Sequence, residues 1–230
     1  MEHTLFHFTP HIKADIYLKN PDTSILGKKI ITHSIDLIET VGFEEYNFKK
    51  LALSVGTTEA TVYRYFENKH KILLYLTSWY WSWVEFQLVI RNSNLDSSKQ
   101  RLQNAIQSLC APEIAQKEKE IDIIKLFNIV CQESSKSYLT KNVDVLNSHG
   151  VYYNYKKIVA IISEIILEIN PAYPYPHTLV TTIIEGIHHQ FFFGKHLPSL
   201  TEKNITNGYL STFYFDMAMT ITLNYKNSPS

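Results

Sequence analysis

Apolar residues recur along this chain at intervals of three and four, the spacing that lines one face of an α-helix. No alternation of apolar and polar positions runs long enough to read as a strand. The pattern predicts a first helix capped by Ser24 or Thr23, with Ile31, Ile35 and Ile38 in one row beside Ile30, Leu37 and Val41. Gly42, free to take positive φ, stops it. A second helix starts at the N-cap Asn47, carries Phe48, Leu51, Ala52 and Val55 on one face, and ends at Gly56. Thr58 caps a third, short helix from Glu59 to Phe66 whose Val62 and Phe66 share a face.

Farther along, an amphipathic segment from about Lys69 to Arg91 contains Trp79, Trp81 and Trp83. More helices are predicted near 97–110, 120–139, 146–169, 177–195 and 202–225, with breaks at Pro112, Gly150, the Pro171/Pro174/Pro176 cluster and Pro198. These stretches are too apolar to stand alone, so they should form one bundle. The fold class is therefore all-α, with three parts: an irregular N-terminal arm over 1–23, a helix-turn-helix domain over 24–72, and a helical bundle over 73–230.

Composition narrows the setting. With 45% hydrophobic and 19% charged residues, the 230-residue chain has the balance of a folded, core-forming protein with room for two modules. Two cysteines, Cys110 and Cys131, are too few for a disulfide framework and form no Cys-x-x-Cys pair, which points to a reducing cytoplasm and to buried thiols. No secretory signal is evident. The longest apolar run, around Ile158 to Ile169, is interrupted by Ser163, Glu164 and Glu168, so no membrane association is expected. His3, His7 and His11 have helical spacing, but Pro10 breaks it, and no metal is expected there.

Three helices in close succession, the last two joined by a tight glycine-containing turn, make a helix-turn-helix. Val55, Val62 and Phe66 can pack inward against Ile31, Ile35 and Leu51, which leaves Glu59, Ala60, Thr61, Tyr63 and Arg64 on the outer face or its margins. A helix of this width fits the B-DNA major groove, N-terminal residues nearest the base edges. Charge gives this reading little help. The whole chain is neutral, and between Ser24 and Tyr75 seven basic residues face six acidic ones. Placement of the bases must then matter more than their number.

From Lys29 to Leu73 the chain resembles the TetR (tetracycline repressor) family. The resemblance rests on Val41-Gly42-Phe43, Phe48-Lys49-Lys50-Leu51-Ala52, Val55-Gly56-Thr57-Thr58, Thr61-Val62-Tyr63-Arg64-Tyr65-Phe66 and Asn68-Lys69 before Ile72-Leu73, in that order and spacing. Downstream it extends to size and helicity only. The resemblance implies double-stranded DNA as partner, a palindromic operator, and a set of contacts: Lys49, Thr58, Glu59, Ala60, Thr61, Tyr63, Arg64 and Lys69. Thr58 and Thr61 would face the groove and Tyr63 would give its hydroxyl to a phosphate. Lys69 would touch the backbone at the start of the next helix, and Lys49 and Arg64 would reach a guanine edge or a phosphate. Two residues depart from the family pattern. Thr57 stands where a valine is usual, and Glu59 puts a carboxylate at the groove edge, either to accept from a cytosine or to favour the helix dipole.

The resemblance also implies a homodimer formed by the last two helices and an unidentified small-molecule ligand. Ile184, Ile187, Phe191 and Gly194 form one stripe, and Ile205, Tyr209, Phe213, Met217 and Ile221 a ridge beside small Gly208 and Ala218. Trp83, Phe86, Leu109, Phe127, Cys131, Tyr152, Tyr155 and Ile162 are candidate pocket liners, and the 13% aromatic content points to an apolar or aromatic ligand. The expected function is a ligand-responsive transcriptional regulator, a repressor released from its operator by that ligand. The alternative is a dimeric ligand-binding helical protein that has lost operator binding. An enzyme finds little support: Glu185-x-x-His188 has the spacing of a di-iron carboxylate motif, but its only counterpart, Glu67-x-x-His70, lies in the turn closing the helix-turn-helix. No catalytic residue and no cofactor is expected.

Overall fold

The computed structural model describes residues 8–111, 121–202 and 205–225; His3, His7 and Pro112 lie outside them. Among the described residues all regular structure is helical: α1 Ile25–Glu45, α2 Phe48–Val55, α3 Glu59–Tyr63, α4 Lys69–Asn92, α5 Ser98–Cys110, α6 Ile123–Glu133, α7 Ser135–Tyr138, α8 Val143–Ser148, α9 Tyr153–Ile169, α10 Pro176–His196 and α11 Asn207–Asn224, with short 3-10 turns between some of them.

The caps written in the sequence set the first four starts. Ser24 accepts from the Gly27 N–H, Asn47 from Lys50, Thr58 from Thr61 and Asn68 from Lys71. Gly42 (φ 76°) bends the end of α1 and Gly56 (φ 75°) terminates α2 in the left-handed region, where only glycine sits without strain. The expected third helix is shorter than its pattern. It ends at Tyr63 because Tyr65 and Phe66 turn inward, Phe66 meeting the Tyr75 ring of α4 edge-on at 5.6 Å. The single stretches expected over 120–139 and 146–169 each divide, the second at Gly150, which has φ 73°.

Residues 8–23 hold two short 3-10 turns, Ala14–Ile16 and Pro21–Thr23, and they are also docked. The Phe8 ring packs against Trp79, Trp83 and Phe86 of α4. The Leu18 N–H donates to the Tyr65 carbonyl at 2.8 Å, and the Lys71 ammonium donates to the Asp15 carbonyl at 2.6 Å. Behind α4, helices α5, α6, α9, α10 and α11 enclose one continuous apolar core that also runs through α1–α3. No helix among the described residues is long and apolar enough to cross a membrane. Cys110 and Cys131 are free thiols, and burial raises the pKa of both.

Candidate nucleic-acid interface and ligand cavity

The helix-turn-helix displays one face and buries the other. Val62 and Leu51 are fully buried and Val55 partly so, while Thr58, Glu59, Ala60, Tyr63 and Arg64 are exposed and Thr61 is half-buried. Tyr63, 48% exposed, rests edge-on against the Phe48 ring at 4.8 Å, which holds its hydroxyl end outward at the α3 C-terminus. Thr58 already spends part of its hydroxyl: it accepts the Thr61 N–H at 3.3 Å and lies 2.9 Å from the Thr61 hydroxyl. A base edge would meet what hydrogen-bonding capacity remains on that pair. The Glu59 carboxylate stands in the first turn of α3, where the exposed N–H groups favour negative charge.

The basic residues divide into two groups. Lys49 and Arg64 point into solvent beside α3. Lys50 and Lys69 are turned back on the protein. The Lys50 ammonium donates to the Glu45 carbonyl at 2.8 Å, and that of Lys69 to the carbonyls of Phe43 at 3.0 Å and Glu44 at 2.9 Å, over the Phe43 ring. Lys69 thereby ties the end of α1 to the start of α4, and two of its three donors are occupied. Thr57, the departure at the turn, is half-buried and gives its N–H to the Ala52 carbonyl at 2.9 Å.

A second feature lies where α4, α6–α7, α9 and α10 meet. A cavity of about 20 Å³, room for roughly one water, is bounded by Leu74, Trp81, Tyr138, Tyr152, Tyr155 and Glu185 among others. Of the pocket residues expected from sequence, Tyr152 and Tyr155 line it. Leu109, Phe127 and Ile162 are ordinary core, Trp83 and Phe86 pack on Phe8, and Cys131 is packed against the core elsewhere. Trp81, Tyr138 and Glu185 were missed as liners. Their only sequence signal is Glu185, the one carboxylate on α10, whose spacing to His188 reads as a metal motif. Here Glu185 Oε1 accepts the hydroxyls of Tyr138 at 2.7 Å and Tyr155 at 3.2 Å. Among the described residues no group of three His, Cys, Asp or Glu side chains is placed to hold a metal.

His188, one turn along α10, is buried against Trp81 with ring centroids 5.9 Å apart, and burial depresses its pKa from 6.5 to about 3. The fold therefore accepts the neutral ring only. Once pH falls below about 6.5, the unfolded chain takes up a proton that the folded chain refuses, so stability is full above that pH and is lost as pH falls towards 3. Between about pH 7 and about pH 5 this group should cost about 2 kcal/mol. Thermal melts across that range should fall less steeply for His188→Gln than for the unaltered chain; parallel profiles would remove His188 as the cause.

Comparison with known proteins gives this geometry its context. Residues 30–76 match the model of the bacterial regulatory proteins, tetR family, and the match spans all of α2 and α3. The helix-turn-helix segment thus carries the TetR-family DNA-binding pattern. A comparison with curated protein sequences finds no match. Among solved structures, the chain is similar to the fatty acid degradation regulator FadR from Bacillus halodurans, with a TM-score of 0.61, 15% identity and 85% of this chain and 95% of that one covered. It is similar to a putative transcriptional regulator from Saccharomonospora viridis in complex with choline, with TM-score 0.60, 17% identity and coverage of 83% and 93%. It is similar also to AibR in complex with isovaleryl coenzyme A and operator DNA, with TM-score 0.57, 14% identity and coverage of 86% and 97%. At these identities the likeness is one of fold, and it takes in the helical bundle beyond residue 76 as well as the helix-turn-helix.

Proposed function

We propose that this TetR-family chain is a ligand-responsive transcriptional repressor that binds a palindromic operator as a homodimer and is released by a small molecule. The observation that carries the reading is the exposed face of α3, with Thr58, Glu59, Ala60, Thr61, Tyr63 and Arg64 outward on a helix packed from behind by Val62. Lys49 and Arg64 supply the cations for phosphate or guanine. Lys69 adds its remaining donor at the mouth of α4, and Tyr63 supplies a phosphate hydroxyl. The module over 24–72 does the binding; the bundle over 73–230 pairs the chains and senses the ligand. Two of the similar solved chains are described with small molecules bound, one of them also with operator DNA.

The pairing surface follows from α11. Leu210, Tyr214, Ala218 and Thr222 form its buried row, and Tyr209, Phe213 and Ile221 form an exposed apolar row next to it. On α10 the expected dimer stripe runs differently, because Ile184 and Ile187 are fully inside the chain's own core and only Phe191 and Gly194 reach the surface region. A second copy covering the Tyr209–Phe213–Ile221 row would set two α3 helices for successive major grooves, about 34–36 Å apart.

The test is fluorescence-anisotropy binding to DNA flanking the gene, and to duplexes selected from random sequence, across a salt series. Arg64→Ala is expected to cost about 1–3 kcal/mol at one base position, and Lys49→Ala to lower the salt slope by about one. Tyr63→Phe should weaken all sequences alike. If selection returns no preferred duplex, the repressor reading falls, and a dimeric ligand-binding protein without an operator takes its place.

A further inference from the structure

The cavity's chemistry specifies its occupant more narrowly than aromatic content does. Its walls carry four aromatic rings, Trp81, Tyr138, Tyr152 and Tyr155, and one carboxylate, Glu185, and no basic side chain lines it. Trp81 and Tyr155 meet with centroids 4.8 Å apart at 30°, and Tyr138 stacks on Tyr155 at 6.3 Å and 17°. Among the described residues Glu185 has no Lys or Arg partner; its side chain is held by the two tyrosine hydroxyls alone. A carboxylate drawn out of water gains from an opposite charge, and ring faces attract cations. The missing cation is what a ligand would bring.

We propose that this cavity takes an organic ammonium ion, its charge set against Glu185 and its alkyl groups against the faces of Trp81, Tyr138 and Tyr155. The proposal rests on the ligand-sensing reading above and narrows its ligand class from apolar or aromatic to cationic. At about 20 Å³ the space is closed to such an ion until the walls part. The shortest helix in the wall is α7, four residues long, and it carries Ser137 and Tyr138. Entry of the ion therefore displaces Tyr138 from Glu185 and moves α7, so the ligand binds the opened conformation in preference to the closed one. That difference in affinity is what a switch requires.

The test is a titration of the full chain, followed by tryptophan fluorescence, with choline, with tetraethylammonium, and with the carbon isostere of choline in which a tert-butyl group replaces trimethylammonium. Choline or tetraethylammonium should bind at least about tenfold more tightly than the uncharged isostere, and Glu185→Gln should shrink that ratio several-fold, leaving what the ring faces supply. Should that variant not fold, the ratio on the unaltered chain decides alone. Equal binding of choline and isostere overturns the proposal, as does binding of neither cation. In that event a neutral compound that releases the protein from its DNA leaves the sensing reading standing. If no compound of either class changes DNA affinity, both readings fall.

Discussion

Replacing Gly27 by alanine should destabilise the protein by about 2 kcal/mol or more, although alanine is the better helix former by about 1 kcal/mol. Gly27 lies in the first turn of α1, and the turn at Pro21–Thr23 presses on it directly. A Cβ there would stand 2.6 Å from the Pro21 Cα and 2.8 Å from its carbonyl carbon, distances at which backbone must move. No flexible side chain can yield. What moves is the segment that joins arm to helix-turn-helix. Its Ser24 caps α1 and lies 2.8 Å from the Tyr65 hydroxyl, and its Asp22 accepts the Tyr75 hydroxyl at 3.0 Å. Urea denaturation should thus show a lower midpoint for Gly27→Ala, with DNA affinity reduced as α1 loses its cap. A rise in stability of about 1 kcal/mol, the propensity effect alone, would show that the turn does not sit on α1.

The same junction separates what could be read along the chain from what could not. Caps are local: Ser24, Asn47, Thr58 and Asn68 each serve an N–H three residues on, so residue type and position suffice. Of the two glycine stops expected, Gly56 ends α2, whereas Gly42 only kinks α1, which runs on to Glu45. The inward face of the helix-turn-helix followed from periodicity, and Val62 and Phe66 are indeed fully buried. The docking of residues 8–23 had no such signal, because its bonds reach from Leu18 to Tyr65 and from His11 to Ser82. Nor could a count of charges show that Lys50 and Lys69 are folded back on carbonyls of α1.

The cavity was the least legible feature, for a geometric reason. Trp81, Tyr138, Tyr155 and Glu185 come from four helices, so no spacing within one segment marks them as a set. On α10, Ile184 and Ile187 read as a dimer stripe, yet they face α10's own chain. Close approach of α11 there is allowed by Gly186, where an added Cβ would lie 3.1 Å from Tyr214 ring carbons. Helical periodicity says that a face is apolar. Which neighbour covers it is decided by tertiary packing.

Glu133→Ala should weaken the coupling between the bundle and the DNA-binding module while leaving both folded. Glu133 ends α6, which lies along α1, and its Oε1 accepts the Phe43 N–H at 3.2 Å. Its Oε2 is 2.7 Å from the Lys136 ammonium, which also pairs with Glu44 at 2.7 Å. Lys136 is 39% exposed and keeps Glu44, so losing its pair with Glu133 costs at most about 1 kcal/mol. The buried N–H of Phe43, left without an acceptor, is the larger loss, for a total of about 1–3 kcal/mol in urea melts. Glu133→Gln keeps that acceptor and should cost less. The functional consequence follows from position. Residues 133 to 138 alternate between this latch and the cavity wall, with Glu133 and Lys136 on the Phe43–Glu44 end of α1 and Ser134, Ser137 and Tyr138 on the cavity. Phe43 and Glu44 are also the residues whose carbonyls hold Lys69 at the start of α4. A displaced α7 therefore pulls on the joint that fixes the helix-turn-helix to α4. In Glu133→Ala, ligand binding and DNA binding should each persist, while the change that one makes in the affinity of the other shrinks by the same factor in both directions, as linkage demands. Undiminished coupling in that variant would place the transmission elsewhere, in α4 itself.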